Sequence, residues 1–237
     1  MREKTEGITV LYKGGRLPAW HALAPEKRRA YEQEHVDLML NVAADHGLQR
    51  IEGFRLMAPQ GAYERFWAMD FGDLAGAEAW IKAEMAPPYG HYGFYEYHLA
   101  RGGLPEYCAA WAKGLPPLAP HQGDPHVIPA LAVDCGSVVA VLFEKNDSGT
   151  DEPPGDAHIA AMESCCQEHG LLRLESFRLL APQAAWQRVW LAEFPDIAGA
   201  EAWIQAEKDP AHGAGRERSF LLTRKWAPAY FAAWVKA

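Results

Sequence analysis

The chain has 237 residues, 49% apolar and 23% charged, which suits an ordinary globular protein built as one large domain or two small ones. A formal net charge of -8 and a pI near 5.7 leave no basic surface to draw it to nucleic acid or anionic lipid. No apolar run reaches the length of a membrane span, and Met1–Gly7 carries neither a signal core nor transit character, so a cytoplasmic location is expected.

The elements can be read in chain order. A β-branched run, Ile8–Lys13, is followed by a helix at about Pro25–Asp45 that ends at His46-Gly47, where glycine takes the left-handed cap. Arg50–Met57 and Tyr63–Phe71, joined at Ala58-Pro59-Gln60, read as a hairpin. Asp73 is the N-cap of a second helix, and His91–Leu99 is a fourth strand before a short Trp111-bearing helix. The pattern then recurs: Val138–Glu144, a helix at about Asp156–Glu168, Arg173–Leu180 with Trp186–Phe194, a helix after Asp196, and Arg216–Leu222.

The recurrence is a duplication. With an offset of 123, His46–Lys113 and His169–Lys236 share 35 identities in 68 ungapped positions, including Ala75-Gly-Ala-Glu-Ala-Trp-Ile81 over Ala198-Gly-Ala-Glu-Ala-Trp-Ile204. The first copy carries about nine extra residues before or within its first helix. The expected boundaries are 1–113 for the first module, 114–134 for a proline-rich linker and 135–237 for the second module. Each module has the β-α-β-β-α-β order of a ferredoxin-like unit. The expected fold class is α+β, with the two modules packed sheet to sheet as a pseudo-symmetric α/β barrel that encloses a lumen.

Strand alternation nominates a lining for that lumen. With an even loop at Ala58–Gln60, Glu52, Phe54, Tyr63, Arg65 and Trp67 share one face in the first copy, and Glu175, Arg188 and Trp190 repeat the theme in the second. Large aromatics with one carboxylate and one guanidinium describe a ligand cavity. Glu52–Arg65 and Glu175–Arg188 read equally well as buried cross-strand ion pairs that fix the register. The fourth strands differ: Phe94, Glu96 and His98 stand in phase with the lumen where the second copy has Glu217, Ser219 and Leu221. A carboxylate two residues from an imidazole can orient it as an acid or base near neutral pH. His98 and Glu96 are therefore the expected catalytic pair, with Tyr12, Glu52, Tyr63, Arg65, Trp67, Phe94, Arg188 and Trp190 as substrate-binding residues. Among the remaining histidines, His46 and His169 close helices, His35 reads as solvent-facing or as a packed surface residue, and His121 and His126 lie in the linker.

Cys108, Cys135, Cys165 and Cys166 show no C-x-x-C spacing, so reduced thiols and no metal site are expected. The G-x-S-x-G, P-loop, G-x-G-x-x-G and H-E-x-x-H signatures are absent.

In its element order, and in Phe194-Pro-Asp-Ile-Ala-Gly-Ala-Glu-Ala-Trp-Ile204 followed by Asp209-Pro210 and the last strand, the chain resembles the dimeric α/β-barrel superfamily. It looks most like the branch of EthD-type proteins and antibiotic-biosynthesis monooxygenases. That resemblance implies chemistry of the kind run by cofactor-free oxygenases, cyclases and lactone isomerases. The superfamily also includes haem-dependent branches, such as chlorite dismutase and dye-decolourising peroxidase, in which one chain holds two modules. The peroxidase stretch Gly-x-x-Asp-Gly is absent, and a proximal histidine could only be His158 or His169. The expected function is a cofactor-independent oxygenase, cyclase or isomerase acting on an apolar, aromatic or carbonyl compound. The alternatives are a non-catalytic small-ligand binder and a haem-dependent enzyme. The expected partner is a small molecule, with no nucleic acid and no membrane, and a homo-oligomer is compatible with the barrel.

Overall fold

The structure is a computed structural model and describes residues 7–115, 136–146, 153–180, 186–209 and 215–226. Its elements run β1 (Ile8–Arg16), the one-turn α1 (Pro18–His21), α2 (Pro25–His46), β2 (Leu48–Gln60), β3 (Tyr63–Phe71), α3 (Leu74–Glu84) and β4 (Gly93–Gly102). The second series is β5 (Val138–Asn146), α4 (Asp156–Glu168), β6 (Arg173–Leu179), β7 (Arg188–Phe194), α5 (Ile197–Lys208) and β8 (Arg216–Lys225). The class is the mixed α+β one expected, with two tandem ferredoxin-like β-α-β-β-α-β units.

Local chemistry places these boundaries. Pro25 opens α2 with its fixed φ, and Gly47 closes it at φ 62°. Asp73 and Asp196 each cap a helix by accepting a hydrogen bond from the backbone N–H three residues on, Gly76 at 2.9 Å and Gly199 at 3.1 Å. Those two glycines also let each helix close onto its sheet: a Cβ at Gly76 would stand 2.8 Å from the Phe71 ring, and one at Gly199 2.9 Å from Phe194. The extra length of the first copy lies largely in α2, of 22 residues against 13 for α4.

In the first unit the antiparallel sheet is ordered β4-β1-β3-β2, and in the second β8-β5-β7-β6. One face of each sheet is covered by that unit's helices. In unit one Val10, Tyr12, Ile51, Trp67 and Met69 meet Val36 and Met39 of α2 and Ala77 and Trp80 of α3. In unit two Ala140, Leu142, Leu174 and Trp190 meet Met162 and Cys166 of α4 and Ala200 and Trp203 of α5. These fully buried aliphatic and indole side chains supply the apolar burial that holds each helix pair down.

The compact units exchange tails relative to the sequence copies. Residues 101–115 pack with unit two, where Trp111 donates Nε1–H to the Ile159 carbonyl at 3.0 Å. Trp226 packs with unit one, donating its N–H to the Gly53 carbonyl at 2.9 Å and setting its ring against Trp67. The proline-rich linker beyond Leu115 lies outside the described residues, as do His121, His126 and Cys135. Among the described residues, no helix is long and apolar enough to cross a membrane.

Candidate functional site

The register revises the expected lining. Gly53 pairs with Trp67, Glu52 with Ala68, and Arg55 with Arg65, and the next pair is Gln60 with Tyr63. Between those two pairs β2 advances five residues and β3 two, so an irregularity inside β2 slips the register by an odd number and reverses the parity that an even loop at Ala58–Gln60 would give. Trp67, Arg65 and Tyr12 thus lie on the helix-covered face. Glu52 lies on the opposite face with Phe54, Phe66, His98 and Glu96. The expected Glu52–Arg65 pair is split across the sheet, and so is Glu175–Arg188, because Glu175 pairs with Leu191 while Arg188 pairs with Arg178. Glu52 stands 4.0 Å from Arg50, Arg65 reaches the Tyr12 hydroxyl at 3.4 Å, and Glu175 bonds Arg173.

Four of the expected site residues do come together on the helix-free face of unit one. Glu96 accepts from His98 Nε2 at 3.0 Å and from the Tyr63 hydroxyl, and Tyr63 meets Phe94 edge to face at 5.1 Å. A fifth member was not anticipated: Lys13, opposite Glu96 in the β1–β4 register, bonds it at 3.0 Å and lies over the Tyr63 ring at 4.2 Å. Hydrogen bonding from His98, with that from Tyr63 and Lys13, outweighs burial and draws the Glu96 carboxyl down to about 2. Burial and the neighbouring carboxylate push Tyr63 up to about 12. Three donors on one anion hold His98, itself only 5% exposed, in a fixed position.

A second constellation lies under the helices and occurs twice. His35 of α2 places Nε2 3.1 Å from Glu84 of α3, and His158 of α4 places Nε2 3.5 Å from Glu207 of α5. Both the histidines and the glutamates are related by the 123-residue offset. His35 is therefore buried, against the surface position expected for it. The signal was present in the sequence: extending the ungapped repeat upstream of His46 aligns His35 with His158 and Met39 with Met162.

The two copies differ in what surrounds the pair. In unit one His35 stacks flat on Tyr89, with ring centroids 3.9 Å apart, and Tyr12, Tyr95 and Tyr97 stack together over the sheet. Burial would raise the Glu84 pKa, but the charge and hydrogen bond of His35, with Arg65 and Arg16, lower it overall. In unit two Glu207 also receives Arg218 Nε at 3.2 Å, in the position held by Tyr95 in unit one. Beside this pair Glu144 accepts from Arg216 and from Trp190 Nε1 at 2.9 Å, and Arg188 donates to Ser176. The Trp111 ring stands 6.4 Å from His158 and 6.3 Å from Trp190. Arg188 and Trp190, expected in the lumen, therefore belong to this helix-covered cluster. Among the described residues no group of three or more His, Cys, Asp or Glu side chains could hold a metal ion. The thiols of Cys108, Cys165 and Cys166 are free and raised in pKa by burial, which leaves them protonated.

No protein-family model and no curated protein matches the chain. Solved structures do match it. Chlorite dismutase from Candidatus Nitrospira defluvii, as the R173A variant, aligns with 98% of this chain and 95% of its own at a TM-score of 0.66 and 13% identity. The same enzyme in complex with imidazole covers 99% and 97% at 0.66 and 13%. A novel heme-binding protein from Thermus thermophilus covers 96% and 94% at 0.55 and 13%. Both units align to a single chain in each case, so this chain has the fold of those proteins. These likenesses correct two expectations. The neighbours are named for chlorite dismutation and haem binding, against a cofactor-independent oxygenase, cyclase or isomerase and against the absence of a cofactor. They lend no support to the EthD and antibiotic-biosynthesis monooxygenase branch over the haem-dependent one.

Proposed function

We propose that the chain binds haem within its second unit, with His158 as the protein ligand to the iron, and that it is a haem-dependent redox enzyme acting on a small oxidant. The observation that carries this reading is the buried His158–Glu207–Arg218 series on the helix-covered face of unit two. The donor set fits the group. A haem carries most of its iron's ligands itself and would need a single side chain from the protein, which His158 would supply, so the lack of a multi-residue metal cluster among the described residues is no obstacle. A buried imidazole with one nitrogen turned to a carboxylate is the arrangement that fixes a ligating histidine and raises its basicity. Arg218 in turn fixes the carboxylate. The likeness to a heme-binding protein and to chlorite dismutase over nearly the whole chain supports the same reading.

His158 is preferred to its equivalent His35 because unit one fills the corresponding space with three stacked tyrosines. Unit two offers three guanidiniums there, Arg188, Arg216 and Arg218, suited to the two carboxylates a haem carries. When bound, haem supplies one- and two-electron chemistry at iron that no side chain of this protein provides. The chain's own contribution is to hold the ligand by Glu207, to present cationic donors, and to exclude water with Trp111 and Trp190, both buried.

Titration of purified protein with haemin tests the proposal. The expected outcome is a Soret band saturating with His158 present and lost or strongly shifted in His158→Ala, while His98→Ala behaves as wild type. An unchanged spectrum in His158→Ala refutes the assignment, and no Soret band in the wild type refutes haem binding. Turnover of chlorite and of hydrogen peroxide by the loaded protein then separates an enzyme from a carrier.

A further inference from the structure

Trp190 and Trp67 occupy equivalent positions in the two copies, and the strand beside Trp190 supplies its indole with a carboxylate. The Nε1–H donates to Glu144 Oε2 at 2.9 Å, and both residues are buried. The register shows that this carboxylate belongs to the second copy alone. Glu144 stands opposite Arg188 as Gly14 stands opposite Arg65, so a glutamate replaces a glycine at the same site. In unit one that space is taken by Tyr12, whose hydroxyl oxygen would lie 2.1 Å from a Cβ on Gly14.

Trp190 also ends a run of oxidisable rings. Tyr107 meets Trp111 at 5.7 Å, Trp111 meets Trp190 at 6.3 Å, and Trp111 lies 6.4 Å from His158. The protons of the two indoles are held differently. Trp111 donates to the Ile159 carbonyl, which cannot accept a proton, so loss of an electron there leaves a protonated cation. The acceptor at Trp190 is a carboxylate, which can take the proton as the electron leaves. Tyr107 is pushed up in pKa chiefly by burial, which keeps its proton in place.

Resting on the haem reading of unit two, we infer that Trp190 is a built redox site at which a one-electron hole comes to rest as a neutral indolyl radical, with Trp111 as the relay and Glu144 as the proton acceptor. Hydrogen peroxide is the oxidant. It takes up two electrons and two protons and leaves as two waters; the protons come from solvent, one electron from the bound haem and the other from Trp190. In that step the Nε1–H bond breaks, the electron passes by way of Trp111, and the proton moves to Glu144 Oε2. The carboxylic acid so formed stays hydrogen-bonded to Arg216.

The test is freeze-quench electron paramagnetic resonance of haem-loaded protein mixed with hydrogen peroxide, with indole-deuterated tryptophan to assign the signal and peptide mass spectrometry to locate oxygenated residues. A neutral tryptophan radical and oxygenation at Trp190, but not at Trp67, are expected. Trp190→Phe removes both, and Glu144→Gln, which keeps the volume but takes away the base, loses most of the neutral-radical signal while the Soret band stays. A radical that persists unchanged in Trp190→Phe, or that is indifferent to Glu144→Gln, overturns the inference and leaves haem binding standing. Absence of a Soret band in the wild type withdraws both.

Discussion

Removing Glu207 and removing Glu84 delete the same group from the same place in two copies of one module, and the outcomes should differ. Glu207 faces His158 at 3.5 Å and the buried guanidinium of Arg218 at 3.2 Å. Glu84 faces His35 at 3.1 Å and feels the charges of Arg65 and Arg16. A guanidinium stays charged at any accessible pH, and that of Arg218 is in contact with its carboxylate. Glu207→Ala thus takes the carboxylate from a buried permanent charge, a loss of roughly 3–5 kcal/mol. Glu84→Ala takes from His35 its hydrogen-bonded carboxylate, for roughly 1–3 kcal/mol. Against the ~5–15 kcal/mol total of a typical domain the difference is large. Equilibrium urea denaturation of the haem-free variants at pH 7, followed by tryptophan fluorescence and far-ultraviolet circular dichroism, measures it. Equal losses, or a larger loss for Glu84→Ala, would refute the claim that Arg218 separates the two copies energetically.

Further outcomes follow from the same contacts. The Glu96 carboxyl is held at about 2, first by His98, against an ordinary value of 4.5, so its stabilisation is complete above pH 4.5 and lost as the pH falls towards 2. Acid titration of Glu96→Gln should show a flatter stability profile in that window, and an identical profile would contradict the assignment. Gly47→Ala forces a side chain into φ 62° and should cost about 1–2 kcal/mol in denaturant melts. Asp196→Ala removes the cap on α5 and should cost about 1 kcal/mol, matched by Asp73→Ala in α3. Burial pushes the Cys165 thiol up to about 11 and Cys166 to about 12, so alkylation of either by iodoacetamide at pH 8 should wait on unfolding. Rapid labelling of the native protein would show the interior of unit two to be open.

Much of the architecture was legible from the residues alone, because it rests on local rules. The 123-residue repeat, the Asp caps, the His-Gly helix ends and the alternation of strands are short-range properties, and the elements they predict are close to those observed. The pairing of His98 with Glu96 was equally local, since residues two apart on a strand must project together. What the chain could not declare by itself was parity across the hairpin. An irregularity between Arg55 and Gln60 turned Trp67, Arg65 and Tyr12 under the helices and left Glu52 on the other face; Pro59 marks a place where pairing can break, but not by how many residues the register slips. Tertiary structure alone brought Glu84 to His35, Glu207 to His158 and Glu144 to Trp190, pairs separated by about 50 residues. These meetings depend on which helix packs over which strand and in what register. A carboxylate's place in the sequence says only that it exists, and the fold decides which imidazole, guanidinium or indole it will face.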